Sequence, residues 1–225
     1  MKTKINIIIG MSLLLSTSMT MAQTSAPTVT SVSSKIEGTP YLDESYTSAK
    51  VFFDNSNPAV VPMRYNVYQD FMEYTQNGQR LALDKNHVKK VKFANQTFVV
   101  DKFEFRGKET KGYLSVLDSG KAMLFAKKVV IFMDAKPGRA LDGTDLPAQY
   151  SKSADAFYYK IANGELQQVG NMKDMIASFP DKQEELKQFV KKEKISPRKE
   201  QELIKLIQFY NSSDDMKLAD NAKRD

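Results

Sequence analysis

Cysteine is absent from this 225-residue chain, and histidine occurs once, at position 87. Without cysteine there are no disulfide staples, no lipid-modifiable thiol behind a leader and no thiolate metal ligands, so the core must hold the fold. A single histidine excludes the usual multi-histidine zinc site. No G-x-G-x-x-G, P-loop or G-x-S-x-G occurs, which removes the common signatures of nucleotide binding and of a nucleophile elbow. Long apolar runs are lacking beyond the N-terminus, so no later stretch is expected to span a membrane.

The N-terminus itself reads as a signal peptide. Lys2 and Lys4 precede the apolar run "INIIIGMSLLLS", and "TSMTMAQ" offers Thr20 and Ala22 at a cleavage site. Gly10 and Ser12 interrupt the run, which falls short of the roughly 20 residues of a spanning helix. The expected organisation is a signal peptide over 1–22, a flexible Ser/Thr-rich segment over 23–40 and an antiparallel β domain over 41–170. A helical segment follows over 171–211, then a disordered tail over 212–225. Such a chain is exported through the inner membrane to the periplasm, the cell surface or the medium. Loss of Lys2 and Lys4 takes the formal charge from +6 to +4. Lysines and carboxylates are interleaved, which argues against a nucleic-acid binder. Lys89, Lys90 and Lys92, with Lys85 nearby, read either as an anionic-partner patch or as a strand edge kept soluble by lysine.

Between 48 and 169, short runs of Val, Ile, Phe and Tyr alternate with turn signals at Asn77-Gly78, Ala94-Asn95, Ser119-Gly120 and Asn163-Gly164. They place strands at 48–54, 62–75, 79–84, 88–93, 96–105, 111–117, 121–133, 155–161 and 165–169. Short connections make these an antiparallel meander of eight or nine strands, a strongly curved sheet or partly open barrel. "VVIFM" at 129–133 is apolar on both faces and is expected as a central strand. Residues 134–154 read as a long loop, functional or mobile. Asn171 and Asp174 form a capping box for a helix bearing Met172, Met175, Ile176 and Phe179. Pro180 ends it, and Asp181 is expected to cap a second helix with Leu186, Phe189 and Val190 on one stripe. Ser196-Pro197 is expected to open a third, with Leu203, Leu206, Ile207 and Tyr210. The fold class is therefore α+β, with three short C-terminal helices against the sheet.

"MRYNVYQDFMEY", residues 63–74, is the stretch richest in chemistry. Read as one strand, it gathers Arg64, Asn66, Tyr68 and Asp70 on one face, at steps of roughly 7 Å. The bland reading makes them cross-strand partners, with Arg64 paired to a carboxylate opposite, so that Arg64→Ala and Tyr68→Ala together cost about 1 to 2 kcal/mol. The functional reading is a polar strip for an extended glycan or peptide, with tyrosines as flat surfaces carrying a hydroxyl.

No catalytic residue, metal site or cofactor is assigned. "DGTDLP" at 142–147 lacks the ligands of a calcium loop. His87 with Ser115 or Ser119 makes no recognisable triad. The methionines read as core filler rather than copper ligands. A hydrolase would have to build its site around Asp70, Glu73 or His87, and a carrier of lipid or other apolar ligand would need a cavity between sheet and helices.

Three stretches, "GTPYLDESYTSAKVFF", "MRYNVYQDFMEY" and "FPDKQEELKQFVKKEKI…QELIKLIQFYN", carry a resemblance to a loosely defined, uncharacterised set of signal-peptide-bearing proteins of Gram-negative bacteria. The resemblance implies an exported α+β protein and no particular activity. The expected function is a non-catalytic binding or protein-interaction protein of the cell envelope. Its partner would be an envelope protein or an extended glycan or peptide, with lipid as a further option.

Overall fold

The computed structural model describes residues 36–137, 143 and 145–221. The expected signal peptide and most of the segment 23–40 lie outside these residues.

Two runs of strands pair in chain order. The first comprises β1 (Thr47–Phe53), β2 (Ala59–Asn66), β3 (Phe71–Gln76) and β4 (Gln79–Ala82). The second comprises β5 (Val88–Lys92), β6 (Thr97–Phe105), β7 (Lys108–Asp118) and β8 (Ala122–Lys127). A hairpin of β9 (Val130–Met133) and β10 (Gln149–Lys152) follows, then β11 (Ala156–Ile161) and β12 (Gln167–Gln168). β5 returns to the open side of β1, giving one antiparallel sheet of order β12-β11-β8-β7-β6-β5-β1-β2-β3-β4. The sheet is open, with β12 and β4 at its edges.

Alternation dictates what the sheet covers. Ala49, Val51, Met63, Tyr65, Met72, Val91, Phe98 and Tyr113 point inward and are nearly or wholly buried. The sheet curls so far that the Tyr65 ring on β2 lies 5.1 Å from Phe98 on β6 and 5.7 Å from Tyr113 on β7. A second buried cluster on the other face joins Phe103, Leu114, Phe125 and Tyr158. The third lies under the helices α1 (Met172–Ala177), α2 (Gln183–Glu193) and α3 (Glu200–Asn221). There Leu124, Ala126, Phe157 and Tyr159 meet Met175, Phe179, Leu186, Leu203, Leu206 and Tyr210.

Several expectations are corrected. The stretch 62–75 is two strands, because residues 67–70 form a turn with Asp70 at φ 56°. Likewise 121–133 breaks into β8 and β9. Among the described residues β9 pairs only with β10, in a small half-buried hairpin, so "VVIFM" is no central strand. The long loop of 134–154 contains β10, which the sequence reading missed. Part of the segment expected to be flexible is pinned. Glu37 hydrogen-bonds across β10, and Pro40 O accepts from Val67 N at 2.8 Å.

At the helices, Asn171 caps α1 as expected, accepting from Asp174 N at 2.9 Å. Asp181 does not cap α2. It pairs with Lys121 at 2.9 Å, while Lys182 takes the cap position in left-handed backbone. α3 starts at Glu200 rather than at Pro197, which lies in a preceding turn; Glu202 accepts from Ser196 N at 2.7 Å. The helix continues to Asn221, past residue 211 where fraying was expected.

Candidate functional site

The turn at 67–70 decides the arrangement of the four singled-out residues. Because the chain reverses there, Arg64 faces Glu73 across the β2–β3 ladder, and Tyr65 faces Met72. Arg64, Asn66, Tyr68 and Asp70 therefore share no single strip. They fall into three neighbouring groups.

The first group is an ion pair walled by tyrosines. Arg64 Nη2 and Nε donate to Glu73 Oε1 at 2.7 and 3.0 Å, and Nη1 donates to Glu44 O at 2.9 Å. Its guanidinium lies 3.7 Å from the Tyr41 ring centre and 4.6 Å from that of Tyr46. Both phenols also donate to Glu73, Tyr41 at 3.0 Å and Tyr46 through a short bond. Burial pushes the Glu73 carboxyl up, but bonds from Tyr46, Arg64 and Tyr41 outweigh it and hold the group below the usual range. The pairing of Arg64 with an opposite carboxylate is what the bland reading expected. Asn66 is likewise structural: its Oδ1 accepts from Gln69 N at 2.9 Å and closes the turn.

The second group centres on Asp70. Oδ1 accepts from Tyr65 OH at 2.6 Å, closely from Lys127 Nζ and more weakly from Tyr113 N at 3.4 Å. Lys85 Nζ donates to Oδ2 at 2.7 Å. The turn fits into the space where β7 runs on below Ser115 without β8 beside it. Gly112 keeps this space open, since a Cβ there would lie 2.6 Å from Asp70 Oδ2. Lys127 is 5 % exposed, and burial lowers its ammonium against the opposing pull of Asp70. Burial and then Asp70 push the Tyr65 phenol well up.

The third group is an aromatic shelf. The rings of Tyr68, Phe132 and Tyr150 lie 4.9 to 6.4 Å apart, and Tyr68 is 46 % exposed. The shelf borders a cleft of about 380 Å³ that Tyr68 and Phe132 share with Asp70, Lys127, Arg106 and Phe105. Arg106 occupies the β6–β7 turn at φ 54°, its guanidinium 5.1 Å from the Phe105 ring centre. Among the described residues it has no carboxylate partner. Sequence reading missed Phe132, Tyr150 and Arg106. Gly107, following Arg106 after an alternating apolar run, was the available turn signal. Nothing local ties Phe132 and Tyr150 to Tyr68.

The catalytic grouping of Asp70, Glu73 and His87 is not assembled. Asp70, Glu73 and His87 have separate partners, and the His87 side chain is 75 % exposed with Asp84 at 3.7 Å. They converge on no common point. The helix–sheet interface expected of a carrier is filled, with Met175, Ile176, Phe179 and Leu186 at 3 % exposure or less.

Fold and site together define an α+β protein: an open, curled antiparallel sheet capped by three helices, with a polar cluster at its β2–β3 turn. Comparison with family models, curated proteins and solved structures finds no match for this chain.

Proposed function

We propose that this is an exported, non-catalytic binding protein of the cell envelope that takes an extended peptide segment of an envelope partner along β9. The observation that carries the reading is the shelf of Tyr68, Phe132 and Tyr150 beside the open edge of β9. Among the described residues β9 is bonded on one side only, to β10. An unpaired edge offers main-chain donors and acceptors to an added strand, and neighbouring rings take its alternate side chains. Arg106, across the cleft, suits a carboxylate or a carbonyl-rich turn of the ligand. The Asp70–Lys127 pair forms the floor and has its charges satisfied, so it positions the turn rather than reacting.

A second reading is an apolar-ligand carrier. It rests on a cleft of about 330 Å³ lined by Val51, Phe53, Val61, Met63, Tyr74 and Leu83, inside the curl rather than under the helices.

Native mass spectrometry of the chain from Gln23 onward, isolated gently from its own envelope, separates these. The peptide reading expects a bound peptide or protein mass that disappears in the Tyr68→Ala/Phe132→Ala variant. A bound lipid mass that survives that substitution favours the carrier. A bare monomer in both proteins overturns both readings.

A further inference from the structure

The lysine cluster of β5 is not an edge device. β5 lies between β1 and β6, in the interior of the sheet, so Lys89, Lys90 and Lys92 cannot serve to keep an exposed strand edge from pairing. A bulge between Phe52 and Phe53 shifts the register so that Val88 and Val91 both point inward while all three lysines are exposed. Lys50 on β1 sits directly opposite Lys92, and Phe52 opposite Lys90. The Lys50 and Lys90 ammoniums lie 5.3 and 4.6 Å from the Phe52 ring centre. Val60, opposite Lys50 on β2, is 67 % exposed.

Among the described residues none of Lys50, Lys89, Lys90 and Lys92 pairs with a carboxylate. Lys89 reaches only Asp54 O, at 3.5 Å. Asp101, farther along the same face of β6, accepts the Lys102 N–H at 2.8 Å. Like charges directly opposed on neighbouring strands destabilise a sheet. Here the repulsion has no internal counter-ion, so an external anion is what relieves it.

We propose that this face docks on an anionic lipid bilayer. The rows Val60–Lys50–Lys92 and Phe52–Lys90–Val99 interleave cations with apolar side chains across three or four strands. Lysine stems and the Phe52 and Val60 side chains meet the headgroup–acyl boundary while the ammoniums reach phosphates. These side chains lie on the outside of the curl, opposite the inward Val51, Val91 and Phe98, where a bilayer surface can reach them without entering a groove. The face is separate from the aromatic shelf, so either proposal stands or falls alone.

The test is co-sedimentation of the chain from Gln23, which retains every residue of the described fold, with phosphatidylglycerol-containing and with pure phosphatidylcholine vesicles. Binding to the anionic vesicles only, weakening with salt, is expected. Lys50→Gln/Lys90→Gln/Lys92→Gln should weaken it roughly fivefold per lysine, about a hundredfold in all. The charge-matched Lys173→Gln/Lys191→Gln/Lys192→Gln variant, on the helices, should bind as the parent does. Circular dichroism checks that both variants are folded. No binding to anionic vesicles, or equal loss in the two variants, overturns the assignment. Binding to a soluble polyanion such as heparin without binding to vesicles overturns it too.

Discussion

Arg64 was expected to belong to a solvated cross-strand pair, but only 15 % of its side chain is exposed and Glu73 opposite is 8 % exposed. Removing it leaves a buried carboxylate with two phenols and no cation, a different case from an exposed pair worth a few tenths of a kcal/mol. We expect Arg64→Ala alone to lower stability by about 2 to 3 kcal/mol, whereas Tyr68→Ala costs under about 1 kcal/mol. Urea unfolding checks both values. If Arg64→Ala costs no more than Tyr68→Ala, the tyrosine-walled pair contributes as an ordinary surface bridge does. At this scale the sequence was half legible. A carboxylate partner for Arg64 followed from strand chemistry, but its identity depended on a turn containing neither Gly nor Pro. Asn66 and Asp70 are the turn formers there, lodged among Val67, Tyr68 and Phe71, whose strand propensity hides them.

The junction between α3 and β8 is made by a side chain that imitates backbone. Asn211 on α3 accepts from Ala122 N at 2.9 Å and donates to Ala122 O at 3.0 Å, treating the start of β8 as a strand would. Gly120 leaves room for it, since a Cβ there would lie 2.5 Å from Asn211 Nδ2. We expect Asn211→Ala to cost about 1 to 2 kcal/mol, because an N–H and a carbonyl of Ala122 lose their partner together. Leu203→Ala, wholly buried beneath the same helix, should cost more, about 2 to 5 kcal/mol. Thermal unfolding of the two variants ranks them; the reverse order would mean that α3 is held mainly by the clamp. The apolar stripes of all three helices were legible because a 3.6-residue period is a local property. The caps of α2 and α3 were not. Asp181 is drawn to Lys121, and the hydrogen bond from Ser196 N to Glu202 requires the turn at Pro197 and Arg198.

For the whole molecule, titration sets a window of stability. Burial raises the phenols of Tyr41, Tyr46, Tyr65, Tyr113 and Tyr210, and takes Tyr158 up to about 12 from 10.0. An unfolded tyrosine ionises first, so the folded state loses stability as pH rises through 10 towards 12. Lys128 adds to that loss. Burial lowers it, but Asp155 and Glu200 raise it further, so its contribution fades as pH climbs past its folded value. Lys127, lowered by burial, runs the other way and is outnumbered. On the acid side Glu73 is held below 4.5, so its contribution is present above that pH and is lost as pH falls through the folded value. Urea midpoints measured across pH should form a plateau that drops steeply above 10. A midpoint still rising beyond pH 10 would show that Lys127 outweighs the phenols.

Period-two alternation by itself determined which side chains face the core in the regular strands, such as β1 and β6, but not across the turn at 67–70 or the bulge beside β5. Helical spacing determined the three apolar stripes, and the lack of cysteine required a fold closed by packing alone. These follow from patterns a few residues long. The tertiary structure alone decided that β5 returns to β1, which puts its exposed lysines in mid-sheet rather than on an edge. It alone brought Lys127 to Asp70, and Phe132 and Tyr150 to Tyr68. Those pairings depend on how tightly the sheet curls and where a turn reverses the chain, and an alternating pattern is satisfied equally well by many curvatures and registers.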